Sequence, residues 1–215
     1  MNRKEIKELA KSKSKGNLWK LLWPVLAIGV VEGLITTIFA PNGTYTVDPE
    51  TMAVTANSIS PVAMLVISLV SIVCGIATIA YKKYVLNFTR DGKCEFKDII
   101  DCLKAKWLNI FLAELVMGIL IGLASLLFVI PGIILALAYT MVPYLVVDTE
   151  LGAIDTLKKS REMMKGYKWD YFVFGLSFIG WALLVPFTLG ILLIWLYPYI
   201  TVANAIYYDK LKNKK

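Results

Sequence analysis

The chain of 215 residues contains no histidine. That absence removes the commonest general base and the commonest metal ligand together, and with them Ser/His and Cys/His nucleophilic catalysis. Only three cysteines occur, Cys74, Cys94 and Cys102. Their spacing fits no zinc site, and none needs an oxidised partner. HExxH, GxSxG, phosphate-cradling glycine loops and Walker patterns are also missing, as is any nucleic-acid-binding motif. No metal and no cofactor is therefore expected, and the chain is not expected to be an enzyme. Charge is sparse at 18% of residues, and the stretch 41–60 holds no Lys or Arg.

What fills the chain instead is apolar. Hydrophobic residues make up 58%, above the 45–50% usual for soluble domains, and mean hydropathy is +0.65. They gather in runs long enough to cross roughly 30 Å of hydrocarbon. The fold class expected is an all-α polytopic membrane protein with six spans: 18–40, 61–80, 107–130, 133–147, 169–185 and 191–207. The first run is longer than the 7–15-residue core of a signal peptide, so it counts as a permanent span. Pro131-Gly132 and the stretch 186–190 are expected to turn the second and third of three hairpins. One membrane domain, 1–215, would comprise a basic segment 1–17, hairpins within 18–88, 94–148 and 149–209, and a basic tail 210–215.

Residues 1–20, 82–106, 149–168 and 209–215 hold seven, seven, five and four Lys/Arg, all 23 in the chain. With six spans all four segments fall on one side, which the positive-inside rule makes cytoplasmic. Both termini would then be cytoplasmic in a cell-membrane protein, and 41–60 would face outward. The surplus of cations there favours anionic lipid headgroups as partners. A homo-oligomer or a membrane-protein partner is compatible with so small a bundle.

Three of the basic segments carry apolar residues at helical spacing: Ile6, Leu9 and Ala10; Phe96, Ile99, Ile100 and Leu103; Leu151, Ile154, Leu157 and Met164. Short amphipathic cytoplasmic helices are expected there; for 1–17 a solvated tail is the alternative to an interfacial helix. Each segment is followed by a tryptophan and a hairpin, at Gly16-Asn17-Leu18-Trp19, Lys106-Trp107 and Lys168-Trp169. The second and third hairpins also share Gly132 and Tyr139, and Gly190 and Tyr197, each pair seven apart, and then Pro143-Tyr144 and Pro198-Tyr199. An internal repeat of parallel units is the expectation.

Two acids fall inside spans, Glu32 and Glu114. A charge there costs roughly 2.5–3.5 kcal/mol on insertion scales, so each should face protein or water. An ion or proton relay, or a polar contact for a substrate, is one reading. A protonated carboxyl hydrogen-bonded across helices, or for Glu114 a carboxylate snorkelling to the cytoplasmic interface, is the other; no Lys or Arg is expected deep in the spans to pair with them. Asp148 is expected to cap the helix after it, and Asp170 to sit at the positive end of a helix dipole. Pro143 and Pro198 are expected to kink their spans. Gly118 and Gly122 form a small-xxx-small pattern suited to close helix packing. Asn42-Gly43-Thr44 is a turn.

An ordered set of motifs resembles the DUF975 family of bacterial and archaeal integral membrane proteins. It runs from Ile130-Pro131-Gly132-Ile133-Ile134 through Tyr139, Pro143-Tyr144 and Asp148 to Met164-Lys165-Gly166 and Lys168-Trp169. It continues with Ser177-Phe178-Ile179-Gly180-Trp181, Leu189-Gly190 and Tyr197-Pro198-Tyr199. The opening Arg3-Lys4-Glu5-Ile6-Lys7 with Gly16-Asn17 and Trp19 is similar too. The resemblance implies the membrane topology and carries over no biochemical role. The residues themselves point to a small transport or export component, or a lipid- or peptide-handling protein. A non-transporting scaffold, immunity or envelope-stress protein is the alternative.

Overall fold

The computed structural model describes residues 2–39, 45–47, 51, 54–56, 60–188 and 190–214. The chain is all-α apart from one short ribbon. Helix α1 spans Arg3–Ser14 and α2 Leu18–Phe39; strands β1 (Tyr45–Val47) and β2 (Val54–Ala56) follow; then come α3 (Pro61–Asp91), α4 (Phe96–Leu127), α5 (Val129–Tyr139) and α6 (Val142–Asp148). Helices α7 (Ala153–Met163), α8 (Lys168–Leu184) and α9 (Ile191–Lys212) complete it, with a 3-10 turn at Pro186–Thr188 before α9. Among the described residues six helical stretches are long and apolar enough to cross a membrane, α5 and α6 together forming one of them.

Local chemistry sets the boundaries. Asn2 caps α1 through its side chain, and Ser60 caps α3 by accepting the Ala63 N–H at 3.2 Å, with Pro61 in the first turn. Glu95 and Asp98 form a capping box at the start of α4. From there no proline interrupts the chain before Leu127, so the expected amphipathic segment and the third span are one helix of 32 residues. Likewise α3 runs 31 residues, past the expected end of the second span. At 1.5 Å per residue each is about 45–50 Å long, well beyond the hydrocarbon thickness. Their surplus turns carry Lys82, Lys83 and Arg90, and Lys97, Lys104 and Lys106, away from the apolar zone.

The turn between the third and fourth spans is not at Pro131-Gly132. Phe128, in extended conformation, breaks the chain, and Pro131 and Gly132 lie in the first turns of α5. A proline there gives up an N–H that has no helical partner anyway. Gly132 is needed for proximity: a Cβ on it would run into the Ser125 side chain and come within 3.0 Å of the Ser125 Cα. Gly132→Ala is therefore expected to destabilise the α4–α5 hairpin by about 1 kcal/mol, read as a lower unfolding midpoint in detergent. An unchanged midpoint would mean that Ser125 rotates away without cost.

The fourth span is also broken, at Thr140-Met141, directly before Pro143 in the first turn of α6. Pro198 lies inside α9 without interrupting it. The 41–60 segment contains an antiparallel pairing of Tyr45–Val47 with Val54–Ala56, two runs rich in strand-forming residues; Asn42, Gly43, Thr44 and Pro49 lie outside the described residues. Among the described residues no atom lies within 4 Å of where a Cβ on Gly118 or Gly122 would stand, so no other helix packs closely on these two glycines there.

The core is concentrated at one end. In the most apolar stretch of α9, 50% of residues are buried, against 11% for α4 and for α8, so α9 is the central helix. Ile79–Leu86 of α3, Val142–Val147 of α6 and Val202–Leu211 of α9 form this core with Met163 and Met164. At the far end Leu126, Leu127 and Phe187 are 75–86% exposed, which suits contact with lipid chains and not water. Helix α1 is neither a solvated tail nor an isolated interfacial helix. Ile6 and Ala10 are fully buried, the helix packs on α9, and Lys210 and Glu5 pair at 2.5 Å.

The three tryptophan junctions divide two against one. Gly16 and Gly166 both adopt φ +85, a left-handed conformation that favours glycine. The next residue's N–H bonds back at 3.1 Å in each case, Asn17 to Ser14 and Tyr167 to Met164. The middle junction, Lys106-Trp107, lies within unbroken α4. The hairpin tips differ as well, since Gly190 has φ +82 in a loop while Gly132 is helical.

Candidate functional site

Four basic segments meet at the core end of the bundle, tied by acids. Asp148, the last residue of α6, has a side chain only 4% exposed. It does not cap α7, whose first position is preceded by Gly152. Instead the Arg90 guanidinium donates to both its oxygens, at 2.6 and 2.9 Å. Lys212 donates to Oδ2 at 2.7 Å and the Tyr208 hydroxyl at 2.9 Å. Lys83 lies 3.9 Å from Oδ1. Arg90 also grips Asp209, at 2.5 and 3.1 Å. One fork thus holds two carboxylates from two helices, which the planar guanidinium can do and an ammonium cannot.

The neighbouring tyrosine repeats the arrangement. Tyr207 donates to Asp170 at 3.0 Å, and Arg3 of α1 lies 3.6 Å from the same carboxylate. Asp170 does sit in the first turn of α8, in a place favoured by the helix dipole. On the other flank Lys106 donates to the Thr149 carbonyl at 2.6 Å and pairs with Glu150 at 2.8 Å. The Lys106 ammonium, donating to the Glu150 carboxylate, holds that carboxyl below its ordinary range, and partial burial pulls the Lys7 ammonium down. The network closes one end of the bundle and is chiefly structural.

Deeper in, Glu114 of α4 faces α3 across a cleft of about 350 Å³. Ile72, Gly75, Ile76, Phe111 and Leu115 line it, so Glu114 supplies its one ionisable group. Gly75 leaves the floor open, with no atom within 4 Å of a notional Cβ. Contrary to the sequence expectation, a basic group does reach this level. Because α3 continues unbroken, Lys82 acts electrostatically on Glu114, and its ammonium lies 5.5 Å over the Tyr144 ring. Tyr144 is buried, stacks on Tyr208 at 5.5 Å, and has a hydroxyl without a hydrogen-bond partner among the described residues.

Glu32 is elsewhere. Its carboxylate accepts from the Ser71 hydroxyl at 3.1 Å across α2 and α3, and it does not line the Glu114 cleft. The two intramembrane acids flank the same helix without sharing a site. Trp169 is 74% exposed and stacks on Phe172. Trp181 packs on Trp195 at 5.7 Å, and nothing crowds Gly180. Tyr139 is buried at the end of α5, and Pro198 is buried within α9.

Sequence reasoning missed Arg90, Tyr207, Tyr208, Asp209 and Lys82. A usable signal was present for Arg90, one of three arginines among twenty lysines: arginine among lysines marks a place where bidentate geometry matters. No curated protein and no solved structure matches the chain. A family model does, over residues 1–136 and again over 125–215, which together take in the whole chain. The chain, built as a helical integral membrane protein, belongs to DUF975, a family described as proteins of unknown function.

Proposed function

We propose that this protein handles amphipathic molecules, lipid or peptide, drawn from the bilayer, as a small transport or export component, with Glu114 meeting their polar end. The observation that carries this reading is the α3–α4 cleft: apolar walls, a single carboxylate, and room for part of a chain-like ligand. An intramembrane carboxylate beside an apolar cleft marks a substrate path more often than a packing site. Lys82 acts on Glu114 through space, and no ion pair joins the two among the described residues, so the carboxylate is open to a ligand amine or hydroxyl. Binding without catalysis fits the lack of histidine. The same reading puts the basic end of the bundle at the cytoplasmic face of the cell membrane; what supports this is the confinement of all 23 Lys and Arg to four segments.

Native mass spectrometry of protein gently extracted from its own membrane tests this. A retained amphiphile is expected on the parent protein and on Glu32→Gln, reduced at least tenfold in Glu114→Gln. Equal retention in Glu114→Gln would overturn the site. Protein that emerges bare, or joined to another protein, would favour the scaffold reading.

A further inference from the structure

A second feature, remote from Glu114, carries a separate assignment. Lys158 and Arg161 of α7, with Lys165 and Lys168 beyond it, line a cleft of about 470 Å³ at the basic end. Glu162, which has an ion-pair partner in Lys159 at 4.0 Å, is the only acid in the lining, so four cations face one carboxylate. The cleft does not stand alone. Lys168 also borders a groove of about 490 Å³ between α5 and α8, whose walls are Ile130, Ile133, Ile134 and Leu137 on one side and Trp169 and Phe172 on the other. The rings of Trp169 and Phe172, with centroids 5.3 Å apart, give that second wall an aromatic face.

A basic cleft joined through one lysine to an apolar groove has the polarity of a single ligand: an anionic head on an acyl tail. We infer that this composite site holds one anionic phospholipid, its phosphate among Lys158, Arg161, Lys165 and Lys168 and an acyl chain between α5 and α8. Charge complementarity selects the head. Arg161 suits a phosphate bidentately, and the lysines act as point charges. The apolar groove selects a lipid over free phosphate, which would gain nothing from Ile133 or Trp169. The left-handed turn at Gly166 places Lys165 and Lys168 on the two sides of one sharp bend, so both reach a common head. The site differs from general attraction of the basic face in being saturable by one molecule.

The test uses full-length protein in mild detergent, titrated with phosphatidylglycerol or phosphatidylcholine and read by native mass spectrometry. One phosphatidylglycerol per chain is expected, retained at least tenfold better than phosphatidylcholine. Each cation near an anionic surface contributes about a fivefold preference. The triple variant Lys158→Gln/Arg161→Gln/Lys165→Gln should therefore lose retention on the order of a hundredfold. The same charge removed elsewhere, in Lys11→Gln/Lys15→Gln/Lys93→Gln, should change it by less than about threefold. Glu114→Gln should leave it intact, which separates this site from the one proposed above. Equal losses in the two triple variants would reduce the effect to diffuse charge and overturn the site. So would equal retention of the two lipids. Displacement by millimolar inorganic phosphate as effective as by lipid would make it a phosphate site and overturn the lipid assignment. Should the triple variant aggregate, Lys165→Gln alone decides, with a fivefold loss expected.

Discussion

Replacing Arg90 by alanine is expected to lower the stability of the folded bundle by about 3 kcal/mol, more than any other single substitution at the basic end. The estimate rests on what is left behind. Breaking a buried ion pair by removing one partner costs about 3–5 kcal/mol, because the remaining charge stays desolvated. Asp148, 4% exposed, is such a charge; the Arg90 side chain is 31% exposed, which places the value at the lower end of that range. Arg90 joins α3 to α6 and α9 at once, so its loss loosens three helices. Arg90→Lys is expected to recover less than half of the loss, since an ammonium cannot bond both oxygens of Asp148 while also meeting Asp209. Thermal unfolding in detergent is the measurement, with an expected drop of about 6–12 °C by soluble-domain scaling. A drop under about 2 °C for Arg90→Ala would show that Lys212 and Tyr208 already satisfy Asp148.

The gross architecture lay open in the sequence because membrane helices are specified by long one-dimensional signals. Runs of apolar residues fixed the six spans, and tryptophans and lysines marked their ends. What failed were inferences that depended on where a helix stops. Lys82 looked like loop because the hydropathy falls at Tyr81, yet nothing after Ala80 breaks a helix until Gly92. The same error hid the one cation that acts electrostatically on Glu114. Pro131-Gly132 resembled a turn because the dipeptide usually is one; here the break is made by Phe128, a residue with no turn signature, and the proline merely starts the next helix. Asp148 was assigned a local partner, and its actual partners lie 58 and more positions away in sequence. Long-range pairings of this kind leave no periodic trace. Glu114 was visible as a polar residue in an apolar run, but its cleft depends on Gly75 and Phe111 of two different helices. The composite lipid site depends on the same kind of convergence: Lys168 is shared by two cavities that no single stretch of sequence reveals.

Removing both tyrosine hydroxyls that serve α2 is the change with the next largest expected effect, about 2 kcal/mol, and the Tyr84 share of it should largely disappear when Pro24 is replaced. Pro24 lies inside α2. It has no N–H, so the carbonyl four residues earlier, on Lys20, loses its helical donor, and the ring crowds that turn. In water such a carbonyl would be hydrated; in a bilayer it has to be satisfied by protein. The Tyr84 hydroxyl donates to the Lys20 carbonyl at 2.7 Å and the Tyr81 hydroxyl to the adjacent Leu21 carbonyl at 2.6 Å. Both tyrosines are buried on α3, one turn apart, with rings 5.8 Å from each other. Helix-to-helix hydrogen bonds in membranes contribute about 0.6 kcal/mol each on average and about 1.7 at most; burial, and for Tyr84 the missing backbone donor, place these two above the average, at about 1 kcal/mol each. Tyr81→Phe/Tyr84→Phe keeps the rings and removes only the donors. In the Pro24→Ala background the helix supplies its own N–H to Lys20, so the Tyr84→Phe part of the loss should fall to a few tenths of a kcal/mol. A double-mutant cycle on thermal unfolding measures that coupling directly. A coupling of zero would mean that Pro24 and Tyr84 are neighbours without being partners, and that the Tyr84 hydroxyl does not compensate for the missing N–H.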